Sequence, residues 1–141
     1  MSKVAIVFWS GTGNTAQMAQ AISDGASVTG AETVLINASN FRPEDMDEYD
    51  AIALGCPAMG AEVLEETEFQ PMFDSIESSL SGRKIALFGS YGWGDGEWMR
   101  QWEAQVRSAG ALLVADPVIA HEAPDDNALY ECRSLGRSLT L

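Results

Sequence analysis

Apolar and polar positions along the chain follow two rhythms. Lys3 to Trp9 is a near-continuous apolar run rich in Val and Ile, the pattern of a parallel strand buried on both faces. From Ala16 to Ala26 the period lengthens. Met18, Ala19, Ile22 and Ala26 share one face, which predicts an amphipathic helix. Gly30 closes that unit, and Thr33-Val34-Leu35-Ile36 predicts a second strand. The acidic stretch Pro43 to Asp50 predicts a loop with a short helix or turn. Ala51 to Cys56 predicts a third strand, stopped by Pro57.

The second half repeats the alternation. Glu65 to Leu80 predicts a helix with Met72, Phe73, Ile76 and Leu80 inward, broken or restarted at Pro71. Lys84 to Ser90 predicts a fourth strand. Glu97 to Ala109 predicts a helix with Trp98, Trp102, Val106 and Ala109 on one side. Ala111 to Val114 opens a fifth strand that resumes at Val118-Ile119. Asp126 to Leu139 predicts a last helix with Leu129, Cys132, Leu135, Gly136 and Leu139 inward.

Five strands alternating with helices predict an α/β three-layer sandwich, a parallel sheet with helices on both faces and right-handed crossovers. The 141 residues suit one domain spanning 1–141. In open sheets of this kind ligands sit beyond the carboxyl ends of the strands. Three loops leave such ends, 10–15, 57–63 and 90–97, and all three are chemically distinctive.

The first loop reads Ser10-Gly11-Thr12-Gly13-Asn14-Thr15 and opens a helix. Its glycines let backbone N–H groups approach a ligand, its side chains offer hydroxyls and an amide, and the helix N-terminus adds partial positive charge. Together these groups can bind a phosphate. A nucleoside triphosphate loop needs a Lys followed by Ser or Thr, and no base occurs in 10–15. The dinucleotide pattern G-x-G-x-x-G is incomplete, with Ala16 at the third place and no acid closing a convincing second strand.

The second loop is Pro57-Ala58-Met59-Gly60-Ala61-Glu62, and the third is Ser90-Tyr91-Gly92-Trp93-Gly94-Asp95-Gly96. Trp93 lies between glycines, outside any helical face, where a large aromatic is best explained by stacking on a flat ring. Met59 has the adaptable thioether to cover the opposite face. Trp98 and Trp102 have core spacing, and Trp9 leans the same way.

Charge and residue counts narrow the function. There are 21 acids against 8 bases, a net charge of −13. That argues against nucleic acid and anionic membranes, both of which need basic patches. It suits encounters with basic partner surfaces, and also simple solubility. The one histidine, His121, and two distant cysteines, Cys56 and Cys132, offer no metal-ligand spacing. The cysteines read as buried thiols of a reducing compartment. With no apolar run near the ~20 residues of a membrane helix, the expectation is a cytoplasmic monomer.

The run Trp9 to Thr15 resembles the FMN phosphate loop of flavodoxins. Gly55-Cys56-Pro57-Ala58-Met59-Gly60 and Phe88-Gly89-Ser90-Tyr91-Gly92-Trp93-Gly94 are similar to the two flavin-ring loops of the short-chain, clostridial-type members. Pro124-Asp125 and Cys132 extend the likeness to essentially the whole chain. The resemblance implies a flavodoxin-like sheet of order 2-1-3-4-5 and a low-potential one-electron carrier rather than an enzyme. It implies non-covalent FMN passing through quinone, semiquinone and hydroquinone, and redox-partner proteins with basic docking surfaces. Ser10, Thr12, Asn14 and Thr15 would bind the phosphate, and Trp93 and Met59 would cover the ring. Glu62 would accept from its N3–H, and the N–H groups of Gly92, Trp93 and Gly94 would serve N1 and O2. In relatives the peptide after the glycine at position 60 rotates on reduction, so that its carbonyl accepts a proton held at N5.

Two departures accompany the likeness. Pro57 and Ala61 replace a hydroxyl and an acid found in some relatives. The acids Asp95, Glu62, Glu65, Glu66 and Glu68 would ring the exposed ring edge and steer partners. Bulk charge contributes about 0.5–1 kcal/mol after screening, only tens of millivolts on a one-electron couple. The competing class is a flavin enzyme, or a ribonucleotide-reductase activating protein of the same fold. A phosphoacceptor domain would need clustered acids after the first strand and a late Lys, and no Lys follows Lys84.

Overall fold

The computed structural model describes residues 2–60 and 62–141. Along the chain run β1 (Lys3–Phe8), α1 (Asn14–Val28), β2 (Glu32–Asn37), β3 (Ala51–Gly55), α2 (Phe69–Ile76), β4 (Lys84–Tyr91), α3 (Glu97–Ser108), β5 (Leu112–Leu113), β6 (Val118–His121) and α4 (Asp126–Ser138). Short 3₁₀ turns occupy Ala38–Asn40, Pro43–Glu48 and Glu77–Ser79.

The strands form one parallel sheet of order β2-β1-β3-β4-β5, with β6 also paired to β4. The fifth strand is thus one edge in two pieces. Leu112 and Leu113 pair with Lys84 and Ile85, and after a gap Val118 to His121 pair with Phe88 to Tyr91.

Side-chain alternation divides the interior in two. Ala5, Val7, Ile52, Leu54, Ile85 and Leu87 face α2 and α3, where Trp102 meets Phe69 and Phe73 edge-on at centroid distances of 5.4 and 6.0 Å. Val4, Ile6, Ala51, Ala53, Ala86 and Phe88 face α1 and α4. Alanines on that face let the helices sit close. Where α1 crosses α4 the backbones touch, and a Cβ at Gly25 would lie 2.0 Å from the Arg133 carbonyl oxygen.

Two helices differ from the pattern-based expectation. α1 begins at Asn14, two residues early, because Gly13 at φ 95° turns the chain and its carbonyl accepts the Gln17 N–H at 3.0 Å. α2 covers Phe69–Ile76 rather than 65–80. Pro71 lies in its first turn, where an N–H has no helical partner to lose, so it neither breaks nor restarts the helix.

Candidate functional site

Loops from the carboxyl ends of β1, β3 and β4 enclose a cavity of about 430 Å³, within the size range of small-ligand sites. Gly11, Thr12, Asn14 and Thr15 line it from the first loop, Pro57, Ala58 and Met59 from the second, and Ser90, Tyr91 and Gly92 from the third. Trp9 and Glu122 complete the wall. Ser10, Gly13, Gly60, Glu62, Trp93, Gly94 and Asp95 stand outside this lining. Ala61 lies outside the described residues.

The first loop is shaped from within. Ser10 Oγ accepts the N–H groups of Gly13 and Ala16 at 3.1 and 3.2 Å. A hydroxyl that accepts twice still has its own hydrogen to donate. Buried Thr15 Oγ1 lies 3.1 Å from Ser90 Oγ, tying the first loop to the third. The α1 N-terminus faces the same space, so the cradle carries partial positive charge without a basic side chain.

The second loop is a pinned hairpin. At its base the Glu65 N–H donates to Cys56 Sγ at 3.3 Å. Higher up, Met59 and Val63 exchange backbone hydrogen bonds of 2.9 and 3.1 Å. The Ala58 N–H donates to the Ser90 carbonyl at 2.9 Å. At the tip Gly60 and Glu62 have φ of 44° and 58°. Gly60 adopts this without cost, whereas Glu62 carries strain of ~1–2 kcal/mol. Glu62 Oε1 is buried without a hydrogen-bond partner, and a Cβ on Gly94 would come within 2.5 Å of it. A buried carboxylate oxygen pressed against a glycine loop, with no donor supplied among the described residues, fits a ligand N–H.

Glu65 anchors the far end of this hairpin. Only 5% exposed, its carboxylate accepts the N–H groups of Thr67, Glu68 and Phe69 at 2.9, 2.7 and 2.9 Å, and the Thr67 hydroxyl as well. Burial alone would raise its pKa, but these four donors outweigh burial and hold it at about 2. Its neighbour Glu68 accepts the Trp9 Nε1–H at 3.0 Å, linking the first loop to the second.

In the third loop Trp93 is 63% exposed, a flat apolar surface beside the cavity with nothing stacked on it among the described residues. Asp95 turns away and pairs with Arg100 at 2.9 Å. The arrangement therefore joins a phosphate-type cradle to a space lined by Met59, Tyr91 and Gly92, with the exposed Trp93 next in the chain. The family model for Flavodoxin matches residues 6–136.

The chain belongs to the flavodoxin family. It is 45% identical to a flavodoxin of Clostridium beijerinckii over 95% of this chain and 96% of the relative. It is 41% identical to one of Megasphaera elsdenii over 96% of each. The solution structure of the two-electron reduced Megasphaera elsdenii flavodoxin matches with a TM-score of 0.90 at 43% identity, covering 96% of this chain and 97% of that one.

For this flavodoxin one sequence-based expectation needs correction, and one open reading has a double answer. Trp9, read as core or ligand wall with a lean to the core, is half-buried, packs against the core and also lines the cavity. Of the five acids expected to ring the ring edge as docking charges, Glu65 is buried and caps α2. Glu68 is engaged by Trp9, Glu62 turns an oxygen inward and Asp95 pairs with Arg100. Sequence reasoning missed Glu122, whose only signal was its place at the end of the last strand.

Proposed function

We propose that the protein is a low-potential one-electron carrier that holds FMN without a covalent bond and links redox enzymes. The observation that carries this reading is that Gly11, Thr12, Asn14 and Thr15 of the cation-free cradle line one cavity together with Met59 and the Ser90, Tyr91 and Gly92 stretch. Bound FMN supplies reversible one-electron chemistry, and the chain supplies its position and electrostatic surroundings.

Ser10, Gly11, Thr12, Gly13, Asn14 and Thr15 hold the phosphate. Because Ser10 already fixes the Gly13 and Ala16 N–H groups, little ordering remains when the ligand arrives. Pro57, Ala58 and Met59 cover one face of the ring, while Gly60 and Glu62 run along its edge. Glu62 Oε1 accepts the ring N–H, which removes the cost of an unpaired buried oxygen, ~1–3 kcal/mol. Ser90, Tyr91, Gly92, Trp93, Gly94 and Asp95 form the other wall, with Trp93 lying over the outer face.

A carrier must expose its ring edge to partners, and the net charge of −13 favours partners with basic docking surfaces. Among the described residues no helix is long and apolar enough to cross a membrane. We assign the protein to the cytoplasm as a monomer.

The test is a visible spectrum followed by anaerobic dithionite titration. One FMN per chain, released by mild acid and reduced in two separate one-electron steps, is the expected result. A protein that cannot take up FMN refutes the reading. Steady NAD(P)H oxidation by the purified protein alone favours a flavin enzyme instead.

A further inference from the structure

β6 ends in a corner that touches the third loop at three points. The Glu122 N–H donates to the Tyr91 carbonyl at 2.7 Å. His121 Nε2 lies 3.2 Å from the Gly92 carbonyl. A carbonyl only accepts, so this nitrogen carries the proton. The imidazole also packs on the Tyr91 ring, with centroids 5.1 Å apart, and Tyr91 rests in turn on Trp98 at 5.6 Å. Glu122 reaches its place with φ 59°, a conformation that non-glycine residues adopt at a cost.

The consequence follows from the planarity of the peptide. In a trans peptide the C=O and the following N–H point in opposite directions, and no peptide bond among the described residues is cis. His121 and Glu122 together hold the carbonyls of two successive peptides, Tyr91–Gly92 and Gly92–Trp93. His121 itself lines a separate polar hollow with Asp125, Asn127 and Glu131, not the cavity that Tyr91 and Gly92 line. With both carbonyls held by residues at the end of β6, the N–H groups of Gly92 and Trp93 point the opposite way, away from β6. Two successive N–H groups presented together make a site for negative charge.

We propose that His121 is a positioning residue. By holding the Gly92 carbonyl, with the Glu122 N–H on the Tyr91 carbonyl, it aims the N–H groups of Gly92 and Trp93 at the edge of the bound ligand that gains negative charge on reduction. This inference rests on the FMN reading above. His121 acts through the Gly92–Trp93 peptide and does not itself touch the ligand. The side chain is exposed, so its replacement leaves the core intact.

The test compares His121→Leu, which lacks a donor, with His121→Gln, whose amide N–H can reach the same carbonyl. Two readouts are needed. In FMN-free protein, the Trp93 amide of His121→Leu shifts in the ¹⁵N–¹H spectrum and exchanges faster with solvent, and His121→Gln restores both. In FMN-loaded protein, His121→Leu weakens binding of the fully reduced cofactor about fivefold relative to the preceding state. That lowers the second one-electron potential by about 40 mV, and His121→Gln recovers most of it.

Wild-type protein that binds no FMN overturns the functional reading and this inference together. Wild-type protein that binds FMN while His121→Leu keeps both the Trp93 amide and the second potential unchanged overturns only the role of His121. An amide that shifts with no change in potential also overturns it, since the corner would then serve the loop and not the ligand.

Discussion

Replacing Glu65 by Gln isolates one buried charge. In the folded chain its carboxylate caps α2, with Oε1 accepting from Glu68 and Phe69 and Oε2 from the Thr67 N–H and hydroxyl. Gln keeps one oxygen but puts an NH₂ among groups that are already donors. The Glu65 pKa falls from an ordinary 4.5 to about 2, which corresponds to about 3 kcal/mol of folding free energy at neutral pH. Its direction is set by linkage. A carboxyl whose pKa is lower in the folded state stabilises fully above its unfolded pKa, and the contribution disappears as pH falls from about 4.5 to about 2.

The assay is urea unfolding of FMN-free wild-type and Glu65→Gln protein at pH 7, 5, 4 and 3. The free protein is used because a ligand bound only to the folded state would add its own linkage. At pH 7 the variant should be less stable by about 2–3 kcal/mol, and the gap should narrow as the pH drops below 4.5. The other carboxylates titrate in both proteins and largely cancel in the difference. A gap as large at pH 3 as at pH 7, or no gap at pH 7, would refute the assignment of Glu65 as an ionised cap.

Gly136→Ala should destabilise the protein by about 1–2 kcal/mol in urea unfolding. The new Cβ would lie 2.1 Å from the Ile22 carbonyl oxygen, and that overlap exceeds the ~1 kcal/mol gained from better helix propensity. A rise in midpoint would show that α4 moves away freely. Burial pushes both thiols up to about 12, with Glu65 adding to the effect at Cys56 against its N–H donation, and Glu131 at Cys132. Folded protein at pH 8 should therefore leave a thiol reagent such as dithionitrobenzoate almost unreacted, and two equivalents should react promptly after denaturation. Fast labelling of the folded chain would refute it.

What the sequence displays depends on how local each interaction is. The 10–15 loop is legible because its glycines, hydroxyls and helix N-terminus are neighbours in the chain. The Ser10 hydroxyl meets partners three and six residues away. The strands are legible because their apolar runs are continuous, and even the split of the fifth strand shows as a break in that run before Val118, whereas their order in the sheet comes only from the resemblance to flavodoxins. The start of α2 is hidden because the residue that caps it, Glu65, precedes the helix and looks like one more acid in an acidic stretch. Glu122 is hidden for another reason. Its role comes from where a strand ends relative to strands far away in sequence, and no pattern around it marks it.

The same distinction changes the meaning of the acidity. From composition, 21 acids suggest a diffuse field that is largely screened beyond a Debye length of ~8–10 Å. The structure instead fixes particular carboxylates on the 62–68 segment, one with a buried unpaired oxygen, one capping a helix and one on the Trp9 indole. Partly buried charges act through an effective dielectric nearer ~20 than 80, about fourfold more strongly at equal distance, and with less screening. The tuning of the site therefore belongs to these few anchored groups, while the exposed remainder governs solubility and encounter. An acid that is held by the fold is a poor docking charge but an effective fixed field, and Glu65, expected among the docking charges, belongs to the second kind.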